Sequence, residues 1–182
     1  MDAQDFLFLP MSVLSQGVIA PPRKSLVVGV ADMVASNDAG ANLITYSLGS
    51  CLGIAIYDPI RKAGGLLHIM LPDSTIDAQK AASQPYMFVD TGVPRLFHAV
   101  YNLAGERHRL VLKVAGGAQL LDPGRIFNIG TRNFQALTEI LSRNGIAIQA
   151  KDVGGASSRT MNMDLGTGQV TIKSPGTETY IL

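Results

Sequence analysis

The chain has one cysteine, Cys51, and three histidines among its 182 residues. A single thiol cannot close an internal disulfide or build a cysteine-rich metal centre. No HExxH pair or similar ligand spacing occurs, so no metal is expected. There is no GxGxxG fingerprint and no Walker loop. Gly154-Gly155 does not introduce a helix, which excludes it as a phosphate cradle. No organic cofactor is expected either. Charge is sparse, at 16% of residues and a net +1, and adjacent Lys and Arg occur only in pairs such as Arg23-Lys24. Such a chain lacks the electrostatic footprint of a nucleic-acid binder. No apolar run approaches the ~20 residues that span a bilayer, so membrane insertion is not expected. Phe6–Leu9 and Met11–Leu14 are apolar, but Asp2 and Asp5 stand where a signal peptide is positive, and Pro10 interrupts the run. Residues 1–24 read as a flexible N-terminal extension with Pro21-Pro22 as its hinge. One cysteine and no export signal point to a reducing cytoplasm.

What is present is apolar: 47% of residues are hydrophobic, enough for one well-filled core. A single domain is expected over 25–182. Strand-like runs lie at 26–30, 43–46, 52–57, 64–71 and 110–115, and again at 146–151, 158–164 and 169–173. Asn37 and Gly40 mark one turn, and Gly166-Thr167-Gly168 marks the last hairpin. Asp90 or Thr91 is placed to cap a helix whose stripe is Val93, Leu96, Val100 and Leu103. A second helix is expected from Thr131 to Ser142, with Phe134, Leu137 and Leu141 on one face. Residues 73–86 show no period and read as an exposed loop. The class is α/β, a layered, sandwich-like β-sheet core flanked by two main helices.

Cys51 ends the run Thr45-Tyr46-Ser47-Leu48-Gly49-Ser50-Cys51, and His68 lies within Gly64-Gly65-Leu66-Leu67-His68-Ile69-Met70-Leu71-Pro72. The strands around them are joined through Asp58-Pro59, which predicts an antiparallel hairpin. With its turn near Ile60, Cys51 and His68 fall almost opposite each other, with Cβ atoms roughly 4.5–5.5 Å apart if they share a face. A histidine beside a thiol is what a cysteine nucleophile requires. Gly49 permits a tight bend whose N–H groups would hold an oxyanion. Thr45 is placed to accept a hydrogen bond from the second ring nitrogen and orient it. A thiolate stabilised by imidazolium, with a lowered pKa, is the expected form. The commoner reading of a lone cysteine, a small buried hydrophobe, stays open at this point. His98 and His108 have no chemical context.

These residues resemble the CheD family of chemoreceptor glutamine deamidases. The resemblance runs from about Val27 to Lys173. It rests on linked motifs: Leu48-Gly49-Ser50-Cys51 with Tyr57-Asp58, the His68 segment, Gly116-Gly117-Ala118, Asn128-Ile129-Gly130-Thr131-Arg132-Asn133, and Asp152-Val153-Gly154-Gly155 with Arg159. It implies a fold similar to a bacterial toxin deamidase domain. It implies a Cys–His–Thr trio carried by Cys51, His68 and Thr45, acting without cofactor. The implied reaction converts glutamines of methyl-accepting chemotaxis receptors to glutamate with release of ammonia. The implied partners are receptor cytoplasmic helices and a CheC-type phosphatase. The alternatives are a non-catalytic regulator of receptor and phosphatase, or a receptor methylesterase. Ala115, where the family often has an aromatic, and Gln119-Leu120, where a methionine is common, depart from the pattern.

Overall fold

Among the described residues, ten strands build two five-stranded sheets, and the helices cover one of them. The computed structural model describes residues 23–119 and 128–182. The expected extension, apart from Arg23 and Lys24, lies outside the described residues. The strands are β1 Lys24–Val27, β2 Asp32–Ser36, β3 Ala41–Leu48, β4 Leu52–Asp58, β5 Ala63–Ile69 and β6 Val111–Gly116. They continue with β7 Ala150–Val153, β8 Arg159–Asp164, β9 Val170–Lys173 and β10 Tyr180–Ile181. The helices are α1 Ala78–Ser83, α2 Val89–Asn102 and α3 Ile129–Arg143. One sheet runs β1-β3-β8-β9-β10 and the other β2-β5-β4-β6-β7.

Every residue of β4 and β5 is buried. Their sheet is the middle of three layers, and a strand covered on both faces reads as a continuous apolar run. The period of two divides that run. Leu52, Ile54, Ile56, Leu67 and Ile69 pack with Val93, Leu96 and Val100 of α2 and with Leu137 and Leu141 of α3. Ala55, Tyr57 and Leu66 pack against Leu43, Leu48, Met161 and Met163 of the other sheet. His68 shares the face of Leu66, so it points between the sheets.

The β4–β5 hairpin forms, but its register differs from the sequence expectation. Gly53 pairs with His68, and the ladder ends at Leu52 with Ile69. Cys51 therefore lies two residues before the partner of His68, on the same face and one step along the diagonal. The pairing of Asp58 with Ala63 moves the turn centre past Ile60. Asp58, fully buried, holds this turn: its carboxylate accepts from the N–H groups of Ile60, Arg61 and Glu106 and pairs with Arg109. Burial alone would raise its pKa, but these donors outweigh burial and keep it far below the usual carboxylate range.

Residues 73–86 are not an unstructured loop. They form a 3-10 turn at Ser74–Ile76, the short α1, and a second 3-10 turn at Pro85–Met87. Asp73 accepts from the Thr75 N–H and Asp77 from the Lys80 N–H, capping the first two. α1 buries no residue, so it has no apolar stripe to read. α2 starts at Val89, one residue before the expected caps. Asp90 instead accepts from the Ser74 N–H at 3.0 Å, and the Thr91 hydroxyl donates to the Pro85 carbonyl. The strand expected at 146–151 is confined to β7, which pairs in parallel with β6, while Ile146 and Ile148 pack on the core.

Gly53 sets the gap between the sheets beside His68. A Cβ there would lie 2.7 Å from Leu48 Cδ1 and 3.0 Å from Met161 Sδ. Gly53→Val is expected to cost about 1–3 kcal/mol through overpacking. Urea unfolding checks this, and an unchanged midpoint would show that the layers separate freely.

Candidate active site

Thr45 on β3 and His68 on β5 face each other across the inter-sheet layer, and both are buried. Thr45 Oγ1 lies 2.7 Å from His68 Nδ1 and 2.9 Å from the Val28 carbonyl oxygen. A hydroxyl has one proton, and a carbonyl can only accept. Thr45 therefore donates to Val28 and accepts from Nδ1–H of His68. This fixes the tautomer: the lone pair is on Nε2. That atom is buried and has no hydrogen-bond partner among the described residues.

Cys51 is half-buried and packs at the edge of the same inter-sheet cluster. The backbone irregularity before it is not at Gly49, as glycine's freedom would suggest. It is at Ser47, with φ 58°, where the β3–β8 register shifts between Thr45 and Leu48. This bulge ends β3 and turns the chain toward β4. The loop is then held by its carbonyls. Ala118 N–H donates to Gly49 O at 2.7 Å, Asn133 Nδ2 to Ser50 O at 3.0 Å, and Gly117 N–H to Cys51 O at 2.8 Å. With the carbonyls engaged, the Ser50 N–H has no backbone acceptor among the described residues. Gly116, at φ +112°, lets β6 come this close, since a Cβ there would sit 2.2 Å from the Cys51 oxygen.

Burial works against charge on both Cys51 and His68. It raises the Cys51 thiol above its ordinary value, against a smaller lowering by the residue's own N–H. It lowers His68 to about 4. The expected thiolate–imidazolium pair is therefore corrected to a neutral thiol and a neutral imidazole in the free protein. Among the described residues no group of three or more His, Cys, Asp or Glu side chains gathers as a metal site, and no helix is long and apolar enough to cross a membrane.

The profile of the family described as CheD chemotactic sensory transduction matches residues 70–174. A probable chemoreceptor glutamine deamidase CheD 1 of Syntrophus aciditrophicus is 44% identical over 151 residues, 83% of this chain and 94% of that protein. Its counterpart in Desulforamulus reducens is 44% identical over 167 residues, 90% of this chain and 99% of the other. The chain belongs to the CheD family. The profile match begins after Thr45, Cys51 and His68, but the alignment with the Desulforamulus relative covers most of the chain.

Two contributors to this CheD site were not singled out from sequence. Val28 supplies a carbonyl, which no side-chain pattern can signal. Asn133 lay in view as the last residue of the Asn128–Asn133 motif, but its role depends on where α3 packs. His98 and His108 lie on the periphery, with His98 edge-on to Tyr101 and His108 near Glu106.

The neutrality of His68 predicts an acid-labile fold. Its pKa is about 4 in the folded chain against an ordinary 6.5. Between these values the unfolded chain takes up a proton that the fold refuses, so the contribution is full above about pH 6.5 and lost as pH falls toward 4. The loss amounts to at most about 3 kcal/mol. Denaturant unfolding at intervals from pH 7 to 4.5 should show this slope, and His68→Asn should flatten it. Equal slopes in both proteins would mean that His68 keeps an ordinary pKa. Loss from Asp58, whose pKa is depressed, comes only below about pH 4.

Proposed function

We propose that this CheD protein hydrolyses the side-chain carboxamide of selected glutamines on chemotaxis receptors, with Cys51 as nucleophile, His68 as general base and acid, and Thr45 orienting His68. The observation that carries the reading is the hydrogen-bond chain from His68 Nδ1–H to Thr45 Oγ1 to the Val28 carbonyl, which leaves Nε2 as a base with no other partner. The names of the relatives, chemoreceptor glutamine deamidases, supply the substrate class.

In this reaction the thiol loses its proton to Nε2 as sulfur attacks the carboxamide carbon. Charge develops on the carboxamide oxygen, and the Ser50 N–H, which has no backbone acceptor among the described residues, is available to donate to it. Collapse of the tetrahedral intermediate breaks the C–N bond, and the imidazolium returns its proton to the departing ammonia. Water, deprotonated by Nε2, then attacks the thioester. Collapse of this second intermediate breaks the C–S bond, the imidazolium returns its proton to sulfur, and the receptor glutamate leaves with the thiol restored. Thr45 moves no proton; it keeps Nδ1 protonated, so that Nε2 is the basic nitrogen at every stage. The receptor is met through its cytoplasmic helices, and a CheC-type phosphatase is the proposed regulatory partner. The domain that carries the reaction includes Lys24, the first residue of β1, and the protein works in the cytoplasm.

Mass spectrometry of a receptor cytoplasmic fragment incubated with the protein tests the reading. Glutamine-to-glutamate conversion is expected with the wild type and none with Cys51→Ala; conversion by Cys51→Ala would end the nucleophile assignment. His68→Ala should lose about 10²–10⁴-fold in kcat, the usual worth of a general base. Thr45→Ala should lose less, and Thr45→Ser should recover part of that loss. A Thr45→Ala defect equal to that of His68→Ala would give the hydroxyl a role beyond orientation.

A further inference from the structure

We propose that Asn133 is a positioning residue, a clamp that sets the Cys51 loop against the His68 strand; this rests on the deamidase reading above. The β4–β5 ladder stops at Leu52 and Ile69, one residue short of Cys51 on one arm and one short of Met70 on the other. Beyond that point the arms have no ladder bond to fix their spacing. The Asn133 amide lies at this fork. Its Nδ2 donates to the Ser50 carbonyl at 3.0 Å and to the Met70 carbonyl at 2.9 Å. Ser50 precedes the nucleophile by one residue, and Met70 follows the base by two. Both protons of one planar NH2 group are used, so the separation of the two carbonyls is set by the geometry of that group.

The clamp is itself anchored. Asn133 is fully buried near the start of α3, and a Cβ on Gly130, one turn earlier, would stand 2.3 Å from the Gly117 oxygen. The helix thus packs backbone to backbone on the Gly117–Ala118 segment that holds the Cys51 and Gly49 carbonyls. Asn133 Oδ1 is buried with no hydrogen-bond partner among the described residues. An amide kept for stability alone would find a partner for its oxygen; here only the two donors are used, and both act on the arms of the site.

Release of the clamp lets the loop open. Cys51 becomes better hydrated and its thiol more acidic, while the loop that carries it shifts away from the His68 strand. The two readouts therefore move in opposite directions. In Asn133→Ala and Asn133→Asp, kcat for ammonia release from the receptor fragment should fall about ten- to hundredfold, as expected when a reacting group is displaced by about an ångström, with KM within about threefold. Iodoacetamide alkylation of Cys51 at pH 8 should become at least about threefold faster as the thiol ionises more readily. Both are measured well below each variant's cooperative melting temperature. Unchanged kcat, or a fall in kcat without faster alkylation, overturns the proposal. So does failure of both variants and of Asn133→Ser to fold, since Asn133 would then be a core residue only. Alkylation does not depend on the substrate: a wild type that releases no ammonia defeats the deamidase reading, while the alkylation change still decides the clamp.

Discussion

A threonine hydroxyl has a single proton, and in this fold the Val28 carbonyl takes it. The orientation of His68 follows from that. Val28 lies just beyond β1, and its own N–H donates to the Ile44 carbonyl at 2.8 Å. Ile44, the residue before Thr45, thus holds the backbone N–H of the same residue whose carbonyl Thr45 bonds. This arrangement exists because β1 runs parallel to β3 and pairs Val27 with Ile44. The side chain of one sheet then orients a ring of the other across a layer otherwise filled by Leu43, Leu48, Leu66 and Met161. In those apolar surroundings an unpaired Nδ1–H would be costly, so the tautomer is strongly fixed. A threonine orients the ring without placing a charge in the layer. A carboxylate in that layer would stabilise imidazolium, and the proposed mechanism needs a neutral ring at rest.

The same economy governs the cysteine loop. Its three carbonyls, from Gly49 to Cys51, are bound by Ala118, Asn133 and Gly117. The Gly49 N–H is used within the bulge, on the Ser47 carbonyl, while the Ser50 N–H has no backbone acceptor among the described residues, which suits it to donate to a developing negative charge. Two glycines make this possible by close approach: Gly116 against the Cys51 oxygen and Gly130 against the Gly117 oxygen. At each, any side chain would drive the backbones apart and carry the loop away from β5.

How much of this the sequence revealed depends on the range of the interaction. The β4–β5 hairpin was legible because its apolar runs and its Asp58-Pro59 turn are local; the shared face of Cys51 and His68 stayed a condition until the ladder set Gly53 opposite His68. The register was not, because the turn is set by Asp58 contacts with Glu106 and Arg109, about fifty positions away. Edge strand β2 passed unnoticed: all its residues are half-buried, so it shows no alternation. α1 was missed for a related reason, since it is held by caps and buries nothing. The Thr45–His68 contact was readable as a possibility from the resemblance and the chemistry of the pair. Its third member, a backbone oxygen at Val28, could come only from the sheet pairing.

In the proposed mechanism the burial of Cys51 and His68 also bears on selectivity. In the free protein the thiol stays protonated and the imidazole stays neutral, because neither charge is stabilised in the inter-sheet layer. Charge separation becomes favourable only when a substrate carbonyl offers the incoming electron pair a place among backbone N–H groups. The resting cysteine is then a poor general nucleophile, and the reaction waits for a correctly seated carboxamide. The binding energy that seats it must come from surfaces remote from the reacting atoms, which a folded receptor has and free glutamine lacks. Reach matters as well. Cys51 is half-buried, so an attacked carboxamide must project from its own backbone into the site. Glutamine carries its carboxamide one methylene further than asparagine does, which in the proposed reaction favours glutamine on a rigid helix over asparagine at the same position.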